Sequence, residues 1–194
     1  RTRMNNNHVC VGGYDLDSRR YVRLLTNTAE NQDENSPYQV RQIYSMEYEN
    51  RQNLVLPHCE DVCVQQSTMQ RTLTRQELND ELGKLAAKNI HIRDLFGGLL
   101  HWENGKGYLL QTNNMPLHSV MVACLNHDLF LYEERRFRYL DNGKVFSVKY
   151  VGTNNLHLRK ISQGTFVRFS LARWWDKNHT YPVKRAYLQL STVF

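Results

Sequence analysis

Apolar residues recur at every second position along much of the chain, in short segments separated by polar turns, which is the signature of half-buried strands. Residues 8–16 (HVCVGGYDL) and 20–26 (RYVRLLT) are two such runs, and Asp17-Ser18-Arg19 between them reads as a tight hairpin. Residues 27–37 are polar and predict a surface loop. A strand resumes over 40–48, with Val40, Ile43, Tyr44 and Met46 at its apolar positions, and a shorter one is expected over 61–65.

The period then changes to that of a helix. Thr74 and Glu77 form a capping box, in which each side chain satisfies an amide that the first turn leaves without a partner. Leu78, Leu82, Leu85 and Ala86 follow on one face, weakened by Gly83, so a helix is predicted over 74–90, packed over one end of a sheet. Two hairpins come next: LLHW and YLLQ flank Asn104-Gly105, and Asp141-Asn142-Gly143 separates FRYL from KVFSVKYV. Further strands are expected over 119–125, 129–132, 165–172 and 185–193.

The first half therefore reads strand, strand, strand, helix, hairpin, which is the layout of an OB-fold. The second half reads as about five strands with no comparable helix. Small barrels remove the exposed edges that so many short strands would otherwise carry. The expected class is mainly β: two tandem OB-like β-barrels, with one prominent α-helix in the first. They are placed at 1–115 and 116–194 and meet near 112–118. The pattern alone also admits a sandwich or another small barrel.

Length and composition agree with two small domains in 194 residues, 41% of them hydrophobic. No apolar run approaches bilayer length and no signal-peptide pattern opens the sequence, so no membrane partner is expected. Residues 1–7 read as a loose polar end. Four cysteines (Cys10, Cys59, Cys63 and Cys124) are read as reduced thiols in a cytoplasmic protein.

Charge changes the picture most. The net charge is +6, but residues 135–194 carry seven Arg and five Lys against only Asp141 and Asp176, leaving the remainder net acidic. A basic C-terminal third favours a polyanionic partner, with nucleic acid the commonest, against the alternative of a merely solvated basic surface.

Three segments resemble the family of dual OB-containing domains: CVGGYDLDSRRYVRLLT, LPHCEDVCV, and FVRFSLARWW followed by YPVKRAYLQLSTVF. They lie in order over nearly the whole chain. The resemblance implies two tandem OB-like barrels and nucleic-acid binding, with no established catalytic activity and no assigned binding residues to carry over. LPHCEDV departs from the family form, which has proline where Cys59 stands, and this argues against Cys59 as a metal ligand. Tyr21-Val22-Arg23-Leu24 and Phe166-Val167-Arg168-Phe169 hint at internal duplication.

Alternation assigns the candidate site. Phe137, Tyr139, Phe146, Val148, Tyr150, Val167, Phe169, Leu171, Ala186, Leu188 and Leu190 are expected inside the second barrel. Arg136, Arg138, Ser147, Lys149, Arg168, Arg185, Tyr187 and Gln189 are then outside. The loop between the last two strands adds Trp174, Trp175, Lys177, His179 and Tyr181. Cations for phosphates and rings for bases are what a single-strand grip needs. One tryptophan is expected to plug the barrel and the other to face a ligand.

Other chemistry finds little support. His58, Cys59 and Cys63, with Cys124 and His127 about sixty residues on, lack the spacing of a structural zinc site. Asp15 and Asp17 beside Ser18 read as turn residues rather than metal ligands. His58 and Glu60 form an acid–base pair with no nucleophile in view, and no P-loop, G-x-S-x-G or H-E-x-x-H occurs. The chain is therefore expected not to be an enzyme and to need neither metal nor cofactor. It is expected to bind nucleic acid, single-stranded DNA or RNA rather than a specific duplex, while the first barrel braces the second or contacts protein. The alternative is an interaction module that docks an acidic partner on its basic face.

Overall fold

The computed structural model describes residues 1–4, 7–111, 114–154 and 156–194. The chain divides between Leu85 and Ala86 into two compact units, each with its own sheet and core. The boundary expected near 112–118, part of which lies outside the described residues, does not coincide with this division.

The first unit holds β1 (Thr2–Arg3), β2 (His8–Asp15), β3 (Arg20–Leu25), β4 (Gln32–Asp33), β5 (Gln42–Asn50), β6 (Asp61–Thr72) and α1 (Arg75–Leu85). Its sheet runs β1-β2-β3-β6-β5, with β4 on β2 and β3 parallel to β6. Alternation buries Val9, Val11, Val22, Leu24, Val62 and Val64 with Tyr38. The β2–β3 turn is the one expected: the Asp15 carboxylate accepts from the Asp17 and Ser18 amides and from the Ser18 hydroxyl. Burial pushes the Asp15 carboxyl up, but the bonds from Ser18, Tyr48 and Asp17 outweigh it and hold the group down to about 2.

β6 extends well past the strand expected over 61–65. From Gln65 to Thr72 every residue is exposed, and the segment is held by main-chain pairing with β5. At its buried end, Arg23 faces Asp61 across the parallel pair and donates to both carboxylate oxygens at 2.5 Å, while Arg51 reaches the same carboxylate at 3.2 Å. Asp61 is 2% exposed.

The helix opens as expected, with Thr74 and Glu77 exchanging bonds at 2.7 and 3.2 Å. The Thr74 amide, then Arg71, hold the Glu77 carboxyl at about 2. It closes earlier than expected. Asn89 is left-handed (φ 52°), and residues 87–90 form a strand parallel to 123–125. That pairing, absent from any local pattern, overrides the helical spacing seen over 74–90. Nor does α1 lie between third and fourth strands, because it follows the last strand of its unit.

The second unit holds β7 (Ala87–Ile90), a kinked 3₁₀ segment (Ile92–Gly98), β8 (His101–Glu103), β9 (Lys106–Leu110), β10 (Val120–Leu125), β11 (Leu129–Glu133), β12 (Arg136–Asp141), β13 (Lys144–Tyr150), β14 (Lys160–Ile161), β15 (Phe166–Leu171) and β16 (Arg185–Val193). The β8–β9 hairpin, expected in the first barrel, pairs with β13 and β16 here. The sheet runs β14-β11-β12-β13-β9-β16-β15-β10-β7, with β13 also parallel to β16. Residues 126–128 alone separate β10 from β11, so the ladder returns to one stretch of chain without closing as a continuous barrel.

Counting β10–β11 as one broken strand, and leaving out β4 in the first unit and β7, β8, β9 and β14 in the second, both units share one order: first, second, third, fifth, fourth. The Tyr21–Leu24 and Phe166–Phe169 tetrapeptides do not correspond in it, since β3 is a third strand and β15 a fourth. Their similarity marks no duplication.

Core positions follow the predicted alternation: Phe137, Val148, Val167, Phe169, Ala186 and Leu190 are at most 1% exposed. Ser147 departs from it. The β8–β9 turn covers it, and both its amide and its hydroxyl donate to the Gly105 carbonyl. Gly105 has φ 74°, and a Cβ there would meet the Val145 carbonyl at 3.2 Å. Tyr139 is only partly buried and stacks on His127 at 3.8 Å, with His91 a further 4.8 Å from His127.

Asp61→Ala leaves Arg23 without its buried partner and is expected to cost about 3–5 kcal/mol in chemical denaturation. The histidines predict a pH response. Burial, then His91, outweigh Asp141 and Asp128 and push His127 from 6.5 to about 4. The unfolded chain therefore takes up this proton first, and stability is full above pH 6.5 and falls as pH drops toward about 4. Denaturation at stepped pH should show this slope, and His127→Phe should flatten it.

Candidate nucleic-acid interface

Residues directly opposite in a sheet share a face. Lys160 on β14 lies opposite Phe130 on β11, and Phe130 opposite Arg138 on β12. Arg136 lies opposite Lys149 on β13, which in turn lies opposite Gln189 on β16. The outer face of these strands thus carries two rows, Lys160–Phe130–Arg138 and Arg136–Lys149.

Rings and cations interleave within them. The Arg138 guanidinium lies 5.2 Å from the Tyr132 ring and the Lys160 ammonium 6.0 Å from Phe130, which is 50% exposed. A hollow of about 490 Å³ opens between Phe130, Arg138, Leu140 and Val145. Two cations have acidic neighbours: Lys160 meets Asp128 at 3.0 Å and Arg136 meets Glu133 at 3.5 Å. The Gln163 amide and Lys160 hold the Asp128 carboxyl below its usual range. Among the described residues no carboxylate pairs with Arg138 or Lys149.

The connection between β15 and β16 builds a second group. Trp175 and Arg185 exchange two main-chain bonds, of 3.0 and 2.8 Å, extending the ladder by one bridge. That fixes the roles of the two tryptophans: Trp174 packs against the core, and Trp175 is 47% exposed. Tyr181 meets Trp175 edge-on at 5.8 Å, Tyr187 lies 6.1 Å from Trp175, and the two tyrosine hydroxyls are 3.3 Å apart.

Arg185 pins this group from within. Its guanidinium lies 4.3 Å from the Tyr108 ring and 4.1 Å from the Tyr181 ring, and it donates to Glu103 at 2.7 Å. The bond to Glu103 raises its pKa further above its ordinary value. The Lys177 ammonium lies 5.7 Å from the centre of the Tyr181 ring. Lys177, Asn178 and His179 are successive left-handed residues. Asp176 caps them, accepting from the His179 amide and facing the His179 ring at 3.0 Å.

The structure therefore brings Arg136, Arg138 and Lys149 onto one face and Trp175, Lys177, Tyr181, Arg185 and Tyr187 into one cluster. Arg168 joins neither. It is half-buried and donates to Ser191 on the neighbouring strand. His179 is 92% exposed and turned toward Asp176. Sequence reading missed Phe130, Tyr132, Lys160, Tyr108 and Glu103. The alternation in LFLYE would have found the first two, whereas two-residue β14 leaves no pattern from which to place Lys160. Among the described residues no three His, Cys, Asp or Glu side chains gather as a metal-holding group, and the cysteines are free thiols. His58 and Glu60 are buried.

Arg185→Ala is expected to open the ring cluster while leaving the core intact. Trp175 emission should move to the red, and trypsin should cut faster after Lys177 and Lys184. Arg185→Lys should rescue little, because an ammonium cannot lie flat between two rings.

No described helix is long and apolar enough to cross a membrane. A comparison with curated proteins returned no match, and neither did one with solved structures. The family model of the dual OB-containing domain matches residues 2–193, which takes in the sheets of both units. The chain belongs to the dual OB-containing domain family.

Proposed function

We propose that the second unit binds single-stranded nucleic acid, DNA or RNA, across the outer face of β11–β13 and along the Trp175 loop. The two rows of cations with Phe130 and Tyr132 set among them carry this reading. Arg138 and Lys149 would take phosphates first, since among the described residues no carboxylate pairs with them, with Arg136 and Lys160 adding to the track. Bases would stack on Phe130, Tyr132, Trp175 and Tyr181, each stack contributing about 1–3 kcal/mol. Exposed rings favour unpaired bases, whose faces are open, over a duplex, whose faces are not. OB-folds also bind oligonucleotides through this face and through the loop between their last two strands.

A protein partner is the second reading, favoured by Leu140 and Val145, which are 64% and 42% exposed beside Phe130. An acidic, partly apolar partner would cover both them and the cations.

Anisotropy titration of the full chain with labelled oligo-dT, oligo-rU and a duplex, over a range of salt, separates the two. The single strands should bind more tightly than the duplex, with affinity falling steeply as salt rises. Arg138→Ala with Lys149→Ala should weaken binding at least tenfold and reduce the salt slope by about 1.4, the share of two phosphate contacts. Failure of all three probes to bind would overturn the reading.

A further inference from the structure

The hollow of about 490 Å³ on the outer face of β11–β13 differs in chemistry from the cation rows around it. Its size falls within the range of small-ligand pockets, roughly 300–1,000 Å³. Phe130 from β11, Leu140 from β12 and Val145 from β13 line it, and they are 50%, 64% and 42% exposed. Leu140 and Val145 lie directly opposite each other across the β12–β13 pair, so their side chains form one apolar shelf. A phosphate gains nothing from such a shelf, whereas the flat face of a base covers it.

The polar part of the lining carries both signs of charge, Arg138 and Asp128. Asp128 stands just before β11 and is fixed in place. Its Oδ1 accepts from the Gln163 amide at 2.7 Å and its Oδ2 from the Lys160 ammonium at 3.0 Å. These bonds hold the carboxyl below its usual range, so it is ionised at neutral pH. A carboxylate oxygen has two lone pairs, and among the described residues each oxygen of Asp128 uses one. The side chain is 32% exposed, so a ligand in the hollow can reach the acceptors that remain.

We propose that this hollow seats one base of the bound strand and selects guanine, an inference that rests on the nucleic-acid reading above. Guanine presents two parallel donors, N1–H and N2–H, which match the two oxygens of one carboxylate. Adenine and cytosine set a single amine beside a bare ring nitrogen, which a carboxylate repels. Thymine and uracil set one N–H between two carbonyls, with the same result. Arg138 complements the other edge, since O6 and N7 of guanine are the acceptors that a guanidinium reads best, and its several donors leave some for a neighbouring phosphate. Lys160 offsets the charge of Asp128, so the carboxylate can read a base without driving away the backbone.

The test uses the full chain and labelled short oligo-dT in which one central thymine is replaced by guanine, hypoxanthine, cytosine or adenine. The guanine probe should bind about tenfold more tightly than unsubstituted oligo-dT. Hypoxanthine lacks the N2 amine and should lose most of that gain, while cytosine and adenine should show none. Asp128→Asn keeps an acceptor for the Gln163 amide but loses the paired one, and should bring the guanine and thymine probes to equal affinity. That ratio is read within one protein, so a general change in charge or folding cancels. Equal binding of guanine and thymine by the unaltered chain overturns the proposal and leaves the nucleic-acid reading standing. So does equal binding of guanine and hypoxanthine, a preference for cytosine or adenine, or a guanine preference that survives Asp128→Asn. Failure of every probe to bind overturns both.

Discussion

The parallel contact between the third and last strands organises each unit. Parallel strands cannot be joined by a tight turn, so the chain must leave the sheet and return before the pair can form. In the first unit the return brings Asp61 opposite Arg23, and two short charge-assisted bonds lock the register between residues far apart in sequence. A slip by one residue would send Val62 and Val64 to the outside and leave the buried carboxylate facing nothing. In the second unit β13 meets β16, while the β8–β9 hairpin leans on β13 through the Gly105 carbonyl. The first, second and fourth strands of each unit lie outward from these pairs.

The surface chemistry is a by-product of the same geometry. A strand whose inner positions are Phe137 and Tyr139 presents Arg136 and Arg138 on its other side, and the neighbouring register decides what stands beside them. Cations fall into rows where β14, β11, β12 and β13 align them. Elsewhere they become fasteners, as with Arg185 between two rings and Arg168 on Ser191. The same residue type thus stands in exposed rows and in packed fastenings on one sheet.

This explains which parts of the molecule could be read from sequence. Strands with one wet face were legible, because period two survives in Val167-Phe169-Leu171 and Ala186-Leu188-Leu190. The outer half of β6 was not, since both of its faces are wet and its main-chain bonds leave no pattern. Residues 87–90 continue a helical spacing, and only a partner near residue 124 reveals them as a strand. The role of Arg185 depends on Glu103 and Tyr108, which the sequence reading assigned to the other domain. Trp174 and Trp175 could not be told apart either, because their facing depends on the bridge to Arg185.

The Trp175 loop carries a constraint of a different kind. Three residues in succession, Lys177, Asn178 and His179, hold left-handed backbones without a glycine among them. Branching at Cβ is poorly tolerated in that conformation, whereas charge and polarity are not restricted by it. Natural or laboratory drift at this rim can therefore retune its electrostatics through Asn, Asp, Lys, Gly or His while Val, Ile and Thr stay disfavoured. The tip would evolve in chemistry long before it evolves in shape.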